Sequence, residues 1–145
     1  MKVLNFTQPL NRPLKSHERK YRLEEDWQCY WEEGGVRYKL HIPKGFEYDG
    51  ASVPRILWSI SDLTPDGVVR GPATLHDKIY EEQGRMGSNL YYFKDGGWRV
   101  CDRVFTRKEA DKLFRAFMKV AGVGATTRWR AYWAVRLFGG RAWRT

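Results

Sequence analysis

Trp27-Gln28-Cys29-Tyr30-Trp31-Glu32-Glu33-Gly34-Gly35-Val36-Arg37-Tyr38-Lys39-Leu40-His41-Ile42 decides the fold. Trp27, Cys29 and Trp31 alternate with Gln28 and Tyr30, and Val36, Tyr38, Leu40 and Ile42 alternate with Arg37, Lys39 and His41. A period of two gives each run one apolar face, and Glu32-Glu33-Gly34-Gly35 supplies the positive φ of a tight turn. The stretch is an antiparallel hairpin. Further along, Leu90-Tyr91-Tyr92-Phe93 and Trp98-Arg99-Val100-Cys101 flank Lys94-Asp95-Gly96-Gly97 and make a second one. Gly45-Phe46-Glu47-Tyr48 adds a short strand.

Outward from the hairpins the period changes. Asp49-Gly50-Ala51-Ser52-Val53-Pro54-Arg55 reads as a turn opening a short helix, with Ser52 as its cap and Pro54 in its first turn. A helix follows from about Val69 or Pro72 to Gln83, stopping near Gly84. Thr106-Arg107-Lys108-Glu109 is a capping box, so the next helix runs from Arg107 to Gly122. Thr126 or Thr127 is expected to cap a last helix through Phe138, closed by Gly139-Gly140. Residues 1–18 are polar, contain Pro9 and Pro13, and read as an extended N-terminal arm, either mobile or laid against a neighbour. The predicted fold is α+β: antiparallel β-hairpins packed on three or four helices, in a single domain over 19–145.

Length and composition agree with one folded domain: 145 residues, 42% apolar and 15% aromatic. Cys29 and Cys101 match no metal or redox spacing and are expected as free thiols. No signal peptide or membrane span is legible, so synthesis in a cytoplasm is expected. The net charge is +9, and after Asp111 there are eight basic side chains and no acidic one. That end of the chain is either a solvated basic face or a docking surface for phosphate, lipid headgroups or an acidic protein.

The chemistry concentrates in Thr74-Leu75-His76-Asp77-Lys78-Ile79-Tyr80 and Ala110-Asp111-Lys112-Leu113-Phe114. His76 and Tyr80 share a helical face, and Asp77 sits about 100° round from His76. Asp111 lies at the edge of the apolar stripe Ala110, Leu113, Phe114, Phe117 and Ala121. Packed together, the two helices could bury a His76–Asp111 pair. With Asp111 orienting the imidazole, His76 would act as a general base on water. Asp77 would hold Ca²⁺ through oxygen ligands, and Asp49-Gly50-Ala51 is the candidate loop for the remaining ligands. The same spacing equally describes a satisfied buried pair with Asp77 solvated. Ser52 lacks the second glycine of a nucleophile elbow and reads as a helix cap. A metal phosphohydrolase would need more histidines than His17 and His41 offer. Arg128, Trp129, Arg130, Trp133, Arg136, Arg141 and Trp143 form a basic aromatic C-terminus. It suits a membrane interface or a protein hot spot, and nucleic-acid backbone contact less well, since no module signature accompanies it. Rings in the core with arginines snorkelling outward is the plain alternative.

Two resemblances follow from these residues. Phe46-Glu47-Tyr48-Asp49-Gly50-Ala51-Ser52-Val53-Pro54-Arg55, Leu75-His76-Asp77-Lys78-Ile79-Tyr80, Ala110-Asp111-Lys112-Leu113-Phe114 and Tyr132-Trp133-Ala134-Val135-Arg136-Leu137-Phe138-Gly139 resemble, in that order, a domain-of-unknown-function family of tailed phages and prophages. The resemblance implies a phage origin and no established activity; beside it, the chain is read as a protein made in the host cytoplasm and carried in the virion. It would be a structural component of tail, neck or baseplate, within an oligomeric assembly, meeting other particle proteins through its N-terminal arm and basic aromatic C-terminus. His76-Asp77-Lys78-Ile79-Tyr80 with Ala110-Asp111-Lys112-Leu113-Phe114 also resembles phospholipase A2 in its disulfide-free form. That implies an ester hydrolase acting on membrane lipid, with His76 as base, Asp111 as its partner, Tyr80 supporting the network, and Asp77 as calcium ligand. Asp49-Gly50-Ala51 departs from that family's Gly-x-Gly calcium loop, and the hairpin between the helices adds strand where the family has less.

Overall fold

Both predicted hairpins form, and they join one sheet. The computed structural model describes residues 1–14, 21–48 and 69–144. Its strands are β1 (Lys2–Asn5), β2 (Asn11–Pro13), β3 (Tyr21–Leu23), β4 (Trp27–Glu33), β5 (Val36–Ile42), β6 (Glu47–Tyr48), β7 (Leu90–Lys94) and β8 (Gly97–Val100). Its helices are α1 (Arg70–Glu81), α2 (Arg107–Val120), α3 (Ala125–Phe138) and α4 (Gly140–Arg144). One antiparallel sheet has the order β1-β4-β5-β7-β8 and a smaller one the order β2-β3-β6. This is an α+β fold.

The alternation read from the sequence sets the burial. Trp27, Cys29 and Trp31 of β4, with Leu40 and Ile42 of β5, are buried against Leu75 and Ile79 of α1 and Ala110, Leu113 and Phe117 of α2. Gly34 and Gly35 turn the first hairpin at φ of 59° and 78°. Cys29 and Cys101 are free thiols, the first buried and the second half-buried. A second apolar cluster joins Ala73 of α1, Phe114 and Met118 of α2, and Ala131, Ala134 and Val135 of α3. α2 therefore sits between the sheet side of the core and α3.

Three features differ from the sequence reading. The described part of the N-terminal segment is extended, but it is woven into the body. β1 forms an edge of the large sheet beside β4, and β2 pairs with β3. Phe6 lies 6.0 Å from the Phe117 ring, Thr7 O accepts the Trp27 indole N–H at 2.8 Å, and Gln8 Oε1 accepts the Gly71 N–H at 2.7 Å. Gln8 thus caps the first turn of α1 from a distant part of the chain, satisfying a donor that a helix start leaves without a partner. In α3, Gly124 occupies the cap position without a side-chain bond, so Thr126 and Thr127 fall inside the first turn. Finally, Gly139 bends the chain into α4 instead of ending the helical region. A Cβ there would lie 2.5 Å from Val135 O and 3.0 Å from the Tyr80 hydroxyl. The helix predicted from Ser52 lies outside the described residues.

The pairing of α1 with α2 is pinned at Gly84. Its φ is +83°, and its carbonyl accepts the Phe105 N–H at 2.9 Å. An added Cβ would meet Phe105 O at 1.9 Å. The end of α1 and the approach to α2 are thereby held backbone to backbone. At the other side of that approach, Arg103 makes paired bonds to Glu33 at 3.0 and 3.1 Å and a third to Glu109 at 3.0 Å. Thr106 Oγ1 accepts the Glu109 N–H and starts α2, which is half of the predicted capping box, while the Glu109 carboxylate goes to Arg103.

Candidate active site

Every residue of α1 from Gly71 to Tyr80 is buried, including Thr74, His76, Asp77 and Lys78. A helix so enclosed must satisfy its polar side chains internally, because a buried group without a partner is costly. Thr74 Oγ1 donates back to Arg70 O at 2.7 Å. Lys78 reaches Glu82 at 3.3 Å and lies over the Phe46 ring. His76 finds its partner on α2.

His76 Nε2 lies 2.7 Å from Asp111 Oδ1, with both side chains fully buried. The Tyr80 hydroxyl donates to the same oxygen at 2.5 Å. Arg136, from the last turn of α3, donates through Nη1 to Oδ2 at 2.7 Å. One carboxylate on α2 thus collects an imidazole and a phenol from α1 and a guanidinium from α3. Arg107, one turn before Asp111 on α2, lies 3.9 Å from Oδ2. It also donates to the carbonyls of Val135 and Arg136 at 2.9 Å each, joining the end of α3 to the site. The imidazole sits between the rings of Tyr80 and Phe114, 4.1 and 4.7 Å away.

The electrostatics follow from this packing. Burial pushes the His76 pKa down, and the Asp111 carboxylate opposes without reversing it, so the ring is neutral at neutral pH. Burial alone would raise Asp111, but the bonds from His76, Tyr80 and Arg136 outweigh it and hold the carboxyl below its ordinary value. An ionised carboxylate can only accept, which places the imidazole proton on Nε2 and makes Nδ1 the basic nitrogen. Tyr80 is raised by burial and by the adjacent carboxylate, so it stays a donor.

Asp77 lies on another flank of α1 and is nearly enclosed. Its charge, with burial as the larger cause, raises the Tyr48 hydroxyl, which is pushed up to about 12 and bonds the Thr74 and Asn11 side chains. Among the described residues no three His, Cys, Asp or Glu side chains come together as a metal site. Asp49 and Gly50, the expected loop ligands, lie outside the described residues.

The C-terminal group divides. Trp129, Arg130, Trp133 and Arg141 are on the surface. Arg128 ties back to Val123 O at 3.1 Å. Arg136 and Trp143, expected on the docking face, turn inward: Arg136 to Asp111, and Trp143 edge-on to Tyr80 at 5.2 Å. A buried anion attracts a nearby cation, and Arg136 lies 2.7 Å from Asp111 Oδ2. Arg107 was missing from the sequence reading. Its position four residues before Asp111, on the same helical face, is the signal that points to it.

No curated protein and no solved structure matches the chain. Residues 21–135, most of its length, match a family described as "protein of unknown function (DUF1353)", and the chain belongs to that family.

Proposed function

We propose that the protein is an ester hydrolase in which His76 activates water, in the manner of the phospholipase A2 motif it resembles. The observation that carries this reading is the carboxylate of Asp111 receiving His76 Nε2 at 2.7 Å and the Tyr80 hydroxyl on one oxygen. A neutral imidazole with its Nε2 proton anchored on a carboxylate is what a general base requires. For this fully buried ring to work on substrate, its cover must open; Nδ1 would then take a proton from water as the oxygen attacks the ester carbonyl. The imidazolium so formed is stabilised by Asp111, which Arg136 and Tyr80 hold in place. The proton then passes to the departing alcohol oxygen, leaving a carboxylic acid, an alcohol and the original imidazole. Asp77 is the candidate calcium ligand, and a calcium ion held there would polarise the ester carbonyl.

The test is hydrolysis of a fluorogenic phospholipid in vesicles, with added Ca²⁺ and with chelator. The wild type is expected to release fatty acid, and His76→Gln to lose about 10²–10⁴-fold in rate while still unfolding cooperatively. Absence of hydrolysis under both conditions would leave His76–Asp111 as a structural pair.

A second reading, a component of a phage particle, is favoured by the exposed Trp129 and Trp133 on α3. A hydrolase carried inside a particle satisfies both. Co-purification with intact particles tests it.

A further inference from the structure

α3 is apolar on two opposite sides. Ala131, Tyr132, Ala134 and Val135 face the core, while Trp129 (45% exposed), Trp133 (56%), Leu137 (70%) and Phe138 (67%) face outward. Trp129, Trp133 and Leu137 follow at intervals of four and make one ridge, with Arg130 on its flank. Arg115 lies over the Trp129 ring at 4.3 Å, and Arg141 is exposed on α4 beyond the ridge. Large apolar side chains left in water are costly, and an exposed ridge of this kind marks a contact surface.

We infer that this ridge docks on a bilayer surface carrying anionic lipid. Charge complementarity selects that occupant: Arg130 and Arg141 are exposed beside the ridge, Arg115 lies on the Trp129 ring, and no acidic residue follows Asp111 in the chain. Tryptophan favours the headgroup level, leucine and phenylalanine favour the acyl boundary beneath it, and arginines reach outward to phosphate. No helix among the described residues is long and apolar enough to cross a membrane, so the contact is interfacial. The ridge also continues into the cover of the proposed site. Arg136, on the same helix, holds Asp111, and Trp143 of α4 packs on Tyr80. Docking would bring that cover to the lipid. The link to catalysis rests on the hydrolase reading; the docking itself does not.

The experiment is co-sedimentation with vesicles of phosphatidylcholine alone and of phosphatidylcholine with phosphatidylglycerol, for wild type, Trp129→Ala/Trp133→Ala, Arg130→Glu and His76→Gln. Wild type and His76→Gln are expected to bind the anionic vesicles and to be released by high salt. The double Trp variant should bind more weakly by on the order of tenfold or more. Both Trp side chains are half out in solvent, so its thermal midpoint should stay near wild type, and Arg130→Glu gives an independent reading of the same face. Equal binding to neutral vesicles, or undiminished binding by the Trp and Arg variants, would overturn the docking. So would a wild type that ignores vesicles but binds an acidic protein or DNA through these residues. Binding of anionic vesicles by a wild type that hydrolyses none of their lipid would keep the docking and remove the hydrolase.

Discussion

Replacing Asp111 with Asn keeps the shape of the side chain and removes the charge on which three donors converge. The amide has one acceptor oxygen where the carboxylate had two, and it turns an N–H₂ toward either the His76–Tyr80 pair or Arg136. Hydrogen bonds to a charged group contribute about 1.5–3 kcal/mol each, and removing one partner of a buried pair costs about 3–5 kcal/mol. Arg136 keeps about a quarter of its side-chain surface in solvent, so water offsets part of its loss. We therefore expect Asp111→Asn to destabilise the fold by about 3 kcal/mol. At about 2.1 cal/mol/K per residue, 145 residues give an unfolding entropy of about 0.3 kcal/mol/K, so the midpoint should fall by about 10 °C. Thermal and urea unfolding measure this directly. A double-mutant cycle with Arg136→Gln should return a coupling of about 1 kcal/mol or more, since the two groups touch. A loss below about 1 kcal/mol, with no coupling, would refute the claim that this carboxylate anchors the site.

Other expectations follow from the same geometry. Gly84→Ala combines a positive φ with a Cβ 1.9 Å from Phe105 O and should cost about 3 kcal/mol or more, read by urea unfolding. Gln8→Ala removes a bond to the first turn of α1 and should cost about 1 kcal/mol, with faster hydrogen exchange at Gly71. The His76 pKa is depressed on folding, so its contribution to stability is complete above the unfolded value of about 6.5 and is lost as pH falls through the folded value. Asp111 has the same sign and acts lower, from its ordinary carboxylate range downward. Unfolding midpoints should decline from pH 7 to pH 5, and His76→Gln should flatten that decline.

The local elements were legible because their signals are local. Alternation around Gly34-Gly35, the box at Thr106, and the i, i+4 pair of His76 and Tyr80 each state a geometry within a few residues. The His76–Asp111 pairing was legible as well, because a polar residue on an apolar helical stripe needs a buried partner. Edge strand β1 was not, since Lys2-Val3-Leu4-Asn5 owes its conformation to β4, a pairing no neighbouring residue announces. Arg136 looked like any other cation of a basic helix; only the tertiary placement of Asp111 distinguishes it from Arg130. Gly139-Gly140 read as a stop, whereas Gly139 is small because Tyr80 stands against it.

The most direct test is the rate of ester hydrolysis against pH for the wild type and His76→Gln, side by side at equal folded fraction. A general base must be neutral to accept a proton, so the wild-type rate should rise through a pKa below the ordinary histidine value and stay level above it. His76→Gln should be slow and flat across the same range. Equal rates in the two proteins, or no hydrolysis by either, would contradict the account.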